Sequence, residues 1–223
     1  MHQTWAYRVD DPRFSPTTPK AGEPATQAQM YEQLTRAYAT IAAELGIRRI
    51  PVGDAFYLAD TDPKWGYRPD AKYDFKDKSQ TALPDQTHSL HVGWRKSKGK
   101  DGKEALGMDG HHANAAGEYL GGCVWFEILF GESVVGNAFV TPGLDKAYAH
   151  FLQETAHKAV LASSTRRLST PAKSWARFLL RQSSAPARTR FSSWRLFTTF
   201  ASRRFDKSLI FLKGPLISRS ATR

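Results

Sequence analysis

An acidic residue and two histidines stand together in the middle of the chain, in the segment Asp109-Gly110-His111-His112. An aspartate can hold one imidazole nitrogen by a hydrogen bond, which leaves the other nitrogen free to take a proton from a hydroxyl group. Asp109 and His112 are three residues apart, and a turn containing Gly110 can bring two such side chains together. We therefore predict that Asp109 orients His112 as a catalytic general base. His111 is the alternative base, but its spacing from Asp109 is one residue short.

Two other interpretations of these residues are open. Zinc takes three or four N, O or S ligands in a defined geometry, so a metal site would need His88 and His91 to converge with Asp109, His111 and His112. His88 and His91 would point to opposite faces of a strand, and we therefore predict neither a metal nor any other cofactor. The alternative without chemistry is an aspartate turn that only caps the next helix and leaves both histidines exposed.

A helix is predicted over residues 115–130, directly after the histidines, because this segment is apolar and Asn114 suits its N-cap. Cys123 falls within it and is the only cysteine of the chain, so an intrachain disulfide is impossible. We expect Cys123 to be a small buried hydrophobe rather than a nucleophile.

The remaining elements follow from periodicity and turn residues. Apolar residues at three- and four-residue steps predict helices over residues 26–45 and 144–161. Strands are predicted over residues 3–9, 47–52, 89–94 and 103–106, the last two as a hairpin. A helix that ends at a glycine and runs into a strand is half of a βαβ unit, which indicates the α/β class. Residues 53–87 are interpreted as a surface excursion whose aromatic rings either line a binding cleft or pack under the loop.

The net charge of +11 belongs to the end of the chain. Residues 1–162 carry 18 basic and 20 acidic side chains, whereas residues 163–223 carry 14 basic side chains and one acid, Asp206. We predict one domain over residues 1–162 and an Arg/Ser-rich tail over residues 163–223 that is disordered or not a native domain. An alternative function is a tail that binds nucleic acid or an anionic membrane through the basic and aromatic residues 188–204.

The segment 108–131 resembles the last sequence block of the SGNH (GDSL-like) hydrolases, whose signature D-x-x-H is matched by Asp109 and His112. Three segments of the chain are similar to a carbohydrate-active branch of that superfamily: TWAYR, GIRRIPVGDA and DGHHANAAGEYLGG. The resemblance covers residues 1–162, the C-terminal half of the family's domain. It implies a partial flavodoxin-like three-layer α/β/α sheet and hydrolysis of a small-molecule or carbohydrate ester, such as removal of an acetyl group.

The serine, glycine and asparagine blocks of that family are not found in this sequence. Gly131-Glu132-Ser133 imitates the serine block but follows the histidine block, so Ser133 is not expected to be the nucleophile. Met1 lies almost at the first strand, and we interpret the chain as a truncated hydrolase that is inactive by itself, since loss of a triad member costs about 10⁴-fold in rate. No signal peptide is evident, and the compartment and oligomeric state are left open.

Overall fold

A computed structural model describes residues 1–14, 20–77, 81–98, 102 and 104–168. A short 3-10 turn at Pro12–Phe14 comes before the regular elements. These elements are α1 (Gln27–Leu45), α2 (Val52–Asp60), β1 (His91–Lys98), β2 (Glu104–Ala113), α3 (Ala115–Phe130) and α4 (Lys146–Leu168). The mixed α/β class is therefore confirmed. None of the described helices is long and apolar enough to cross a membrane.

The caps of α1 and α3 are those that the sequence predicts. The Thr26 side chain accepts a hydrogen bond from the Gln29 amide, and Gly46 ends α1 with a φ of 63°. The Asn114 side chain accepts from the amides of Ala116 and Gly117 at the start of α3. Both helices begin and end where these local signals place them.

Residues 3–9 and 47–52 do not form strands, so these two predictions are wrong. The two segments run parallel but meet only at one bridge, between His2 and Ile50. The Gln3 amide donates to the Ile50 carbonyl at 3.0 Å, and the Ile50 amide donates to the Met1 carbonyl at 2.8 Å. The ladder ends there because the chain turns into α2: the Val52 amide, which would continue it, donates to the Ile50 carbonyl at 2.9 Å instead.

The surface excursion predicted over residues 53–87 is also corrected, because its beginning is the buried helix α2. Val52, Ala55, Phe56 and Ala59 are each at most 2% exposed and recur at helical spacing. Further along, the Trp65 ring stacks against Phe151 of α4 at 5.7 Å. This part of the segment therefore packs into the fold.

The hairpin is present and longer than predicted. β1 and β2 are antiparallel, with Gly93 opposite Asp109 and His91 opposite Ala113. Residues 110–112 of β2 therefore face only Val92, which is a β-bulge. The predicted turn at Asp109–His112 is corrected to this bulged strand. A bulge bends the strand and redirects its side chains, and here it replaces the turn in bringing the two residues together.

The core lies where α2, α3 and α4 pack on one another. Phe56, Leu120, Val124 and Leu152 are at most 1% exposed and belong to one apolar cluster. Cys123 is buried in the same cluster, and burial raises the pKa of its thiol to about 12, which suits the predicted inert role.

The predicted domain boundary after residue 162 falls within α4, which continues to Leu168. The predictions for the rest of the tail lie outside the described residues. These include the proposed nucleic-acid or membrane surface over residues 188–204.

Candidate functional site

The Asp109 and His112 side chains are joined by a hydrogen bond at the end of β2. The His112 Nδ1 atom lies 2.9 Å from Asp109 Oδ1 and 3.1 Å from Oδ2. The His112 backbone amide also donates to Asp109 Oδ1, at 3.2 Å. These distances confirm the predicted geometry of the pair. A carboxylate at Nδ1 favours the tautomer that leaves Nε2 as the proton acceptor.

The two partners differ sharply in exposure. Asp109 is 8% exposed, whereas the His112 side chain is 68% exposed. The His112 Nε2 atom makes no hydrogen bond to another described residue, so it faces solvent. Burial acts to raise the pKa of Asp109, but the hydrogen bonds from His112 and the nearby imidazoles outweigh it and lower the pKa below its usual range. The carboxylate therefore stays ionised and can stabilise a protonated imidazole.

His111, the alternative base, is placed less favourably. Its Nδ1 atom lies 3.4 Å from Asp109 Oδ1 and 3.3 Å from the Nη2 atom of Arg13. Its ring lies 4.1 Å from that of His112, measured between centroids. His111 therefore shares the carboxylate only at the longer distance and links the pair to Arg13.

Asp11 and Arg13 form the second part of the site, which the sequence did not reveal. Asp11 is 3% exposed and receives two hydrogen bonds from the Arg13 guanidinium, at 2.8 and 2.7 Å. Burial acts to raise the pKa of Asp11, but the bonds and charge of Arg13 outweigh it and lower the pKa. The guanidinium also lies 3.7 Å above the Tyr7 ring. An Asp-x-Arg sequence in a polar loop is too common to signal such a contact.

Gly110 is required here by a close approach. A Cβ atom on Gly110 would lie 2.4 Å from Asp11 Oδ2, well inside van der Waals contact. The Gly110 carbonyl also accepts a hydrogen bond from the Arg8 amide at 2.8 Å. The glycine lets Asp11 and the N-terminal segment pack directly against the strand that carries the histidines.

The other residues considered for a metal site do not join the pair. His91 is 1% exposed and its Nε2 atom lies 3.1 Å from the Ala6 carbonyl oxygen. The His88 ring lies against Trp65 and Tyr148. Neither one is part of the ligand cluster around Asp109.

Asp109, His111 and His112 do present three ligand atoms within 4.8 Å of one another, which is compatible with a metal ion. However, the Arg13 guanidinium touches His111, and that of Arg95 lies 3.6 Å from Asp109, so two positive charges oppose a cation there. The absence of a metal stays a prediction.

Ser133 lies at the other end of α3 from His112. The 16 residues of α3 separate the two, which is about 24 Å along the helix axis. The Ser133 hydroxyl accepts a hydrogen bond from the Val135 amide. Ser133 is therefore out of reach of the pair, and no described serine, threonine or cysteine is hydrogen-bonded to His112.

Comparisons with known proteins do not assign the chain to a family. No protein-family model matches the chain, and no curated protein matches it. Among solved structures, a DUF4886 family protein from Bacteroides uniformis is similar, with 25% sequence identity and a TM-score of 0.47. The match covers 72% of this chain and 47% of that protein, so the chain spans less than half of that protein's length.

Proposed function

We propose that the chain carries the acid–base half of an SGNH-type serine ester hydrolase, with His112 as general base and Asp109 as the residue that orients it. The observation that carries this proposal is the pair itself: a buried carboxylate bonded to Nδ1 and an exposed Nε2 atom. Geometry of this kind is what proton transfer from a nucleophilic hydroxyl requires.

In the proposed reaction, His112 Nε2 takes the proton of a serine hydroxyl as the serine oxygen bonds to the ester carbonyl carbon. The same nitrogen then gives the proton to the alcohol oxygen as the ester bond breaks. Water repeats the sequence on the acyl-serine and releases the acid. Asp109 stabilises the imidazolium formed in each half of the reaction. The serine comes from polypeptide outside the described residues.

The arrangement of the elements supports an SGNH-type sheet as part of this proposal. The His2–Ile50 bridge is parallel, as a doubly wound sheet requires. The D-x-x-H residues stand directly before α3, which packs on α2 and α4. The substrate proposed from the resemblance is a small-molecule or carbohydrate ester.

The test joins the chain, in the same frame, to whatever coding sequence lies upstream of Met1 in its gene. Hydrolysis of 4-nitrophenyl acetate and labelling by a fluorophosphonate are then measured. We expect the extended protein to label at one serine and to hydrolyse the ester. His112→Ala should lower the rate on the order of 10⁴-fold, and the matched His111→Ala control by less than about tenfold.

The unextended chain should hydrolyse the ester no faster than its own His112→Ala variant, because no described nucleophile contacts the pair. The proposal fails if the extended protein is folded but neither labels nor hydrolyses. It fails equally if activity survives His112→Ala and is lost with Ser133→Ala.

A further inference from the structure

A cavity of about 570 Å³ lies on the side of the site that carries Arg13. Tyr7, Arg13 and Phe14 form one wall, and residues leading into α1 form the other, among them Lys20 and Glu23. Small-molecule sites in proteins commonly have volumes of about 300–1,000 Å³. The cavity is therefore large enough for a substrate built on one ring.

Two wall residues connect this cavity to the proposed base. Arg13 Nη2 lies 3.3 Å from His111 Nδ1, and the Tyr7 ring lies 5.9 Å from the His111 ring. The His111 ring in turn contacts that of His112. A molecule in the cavity therefore lies against residues that contact His111, the neighbour of the base.

The Arg13 guanidinium is held in a fixed orientation, and its Nη1 atom is left available to a ligand. Asp11 binds its Nε and Nη2 atoms, and the Tyr7 ring supports its face. The Nη1 atom makes no hydrogen bond with another described residue, and the side chain is 49% exposed. A guanidinium fixed in this way binds a planar anion with little loss of conformational entropy.

The formal charges around the cavity balance, and the free guanidinium nitrogen of Arg13 is the feature that favours a carboxylate on the ligand. Arg13 and Lys20 are cationic and Glu23 is anionic, while the Asp11 carboxylate is buried behind Arg13. Lys20 and Glu23 are 3.9 Å apart and largely exposed, so they only partly neutralise each other. With the Asp11 carboxylate counted, the two cations and the two anions balance, so what the wall offers a carboxylate is the fixed Arg13 Nη1 atom, which bonds no described residue.

We propose that this cavity binds an ester substrate that carries a single carboxylate on a ring, and that Arg13 is the residue that selects it. The carboxylate accepts hydrogen bonds from Arg13 Nη1, and the ring lies against Phe14 and Met30. The role of the bound molecule as substrate rests on the proposed function. Its binding does not, because His112 makes none of these contacts.

The test uses the unextended chain and an unreactive probe, 4-acetamidobenzoate, in which an amide replaces the ester. Its neutral counterpart is acetanilide, and amide NMR shifts report binding. We expect saturable binding of 4-acetamidobenzoate with shifts at Tyr7, Phe14 and Met30, and about tenfold weaker binding of acetanilide. A charge-assisted hydrogen bond accounts for a difference of this size.

Variants of the wall separate charge recognition from a change in folding. Arg13→Gln should weaken binding of the carboxylate probe about tenfold and leave acetanilide unchanged. Glu23→Gln, at an exposed side chain, should strengthen binding of the carboxylate probe by about twofold to threefold. Arg36→Gln removes the same charge from an exposed part of α1 and should have no effect.

Equal affinity for the two probes, shifts confined to other regions, or an unchanged affinity in both Arg13→Gln and Glu23→Gln would overturn the proposal. The His112→Ala variant should bind the carboxylate probe as well as the parent chain does. If the probe binds as expected but no hydrolase activity is found, the hydrolase proposal fails and the cavity assignment is still supported. His112-dependent hydrolysis without such binding would refute the cavity assignment alone.

Discussion

Replacing Asp60 with asparagine should stabilise the folded chain at neutral pH and have little effect near pH 4. Asp60 ends α2, where its Oδ2 atom accepts a hydrogen bond from the Gln27 side chain at 2.8 Å. Its Oδ1 atom is buried and makes no hydrogen bond with a described residue. Burial therefore raises the pKa of Asp60 to about 7.

The sign of the effect follows from the protons bound in each state. Between pH 3.8 and about 7 the folded Asp60 keeps a proton that the unfolded chain has released, so its contribution to stability is lost as the pH rises. About three pH units at 1.36 kcal/mol each give about 4 kcal/mol. The free energy of unfolding of Asp60→Asn, minus that of the parent chain, should therefore increase by about 4 kcal/mol from pH 4 to pH 7.

His91 has the opposite effect on the pH dependence of stability, and it partly masks the effect of Asp60 in the parent chain. Its ring is 1% exposed, and burial lowers its pKa to about 4 from the usual 6.5. Its contribution to stability is complete above pH 6.5 and is lost as the pH falls toward 4, by about 3 kcal/mol. The stability of the parent chain should therefore change little over this range, whereas that of Asp60→Asn should rise steeply with pH.

Urea unfolding followed by tryptophan fluorescence at pH 4.5, 5.5, 6.5 and 7.5 measures these differences. Glu44→Gln, at an exposed carboxylate of α1, is the matched control for removal of a carboxylate. A constant difference between Asp60→Asn and the parent chain over this range would show that Asp60 is ionised in the fold, and the reasoning would be refuted.

Three further substitutions test the packing and the buried ion pair that support the site. Gly117→Ala should lower the free energy of unfolding by more than about 2 kcal/mol, because its Cβ would lie 2.3 Å from the Leu90 carbonyl oxygen. Gly122→Ala is the control on the same helix, because its added Cβ meets nothing within 4 Å, and it should raise the free energy of unfolding by up to about 1 kcal/mol. Thermal unfolding measures both variants, and equal changes in their stability would contradict the close packing at Gly117. Arg8→Met should cost about 3–5 kcal/mol in urea unfolding, because Arg8 is fully buried and the Asp10 carboxylate would lose its cationic partner and keep only the bonds from Tyr67 and Trp94. A loss below 1 kcal/mol would show that the pair is dispensable.

Sequence predicted the helices α1 and α3 because their signals are local. Thr26 and Asn114 cap the helices that follow them, and Gly46 ends α1. The strand predicted over residues 3–9 failed because a strand also needs a partner. In the described part of the chain the parallel bridge forms at His2, just before this segment, while the Arg8 amide donates to Gly110 and the Arg8 side chain joins a buried network with Asp10.

The difference between local signals and distant partners also explains which parts of the site could be predicted. The Asp109–His112 hydrogen bond joins residues three apart, so their spacing was enough to predict it. The bulge that forms it depends on pairing with β1, which the spacing does not show. Arg13 meets His111 from 98 positions away in the chain, and no local pattern encodes that contact.

The tautomer of His112 is the most direct test of its assignment as a general base. Nitrogen-15 NMR of the imidazole rings at alkaline pH identifies which nitrogen carries the proton. We expect a proton on His112 Nδ1, held by Asp109, and an unprotonated Nε2 atom. The Asp109→Asn variant should lose this preference, while the exposed His150 of α4 should be the same in both proteins. A proton on Nε2 in the parent chain, or a tautomer unaffected by Asp109→Asn, would contradict the assignment of His112 as a general base.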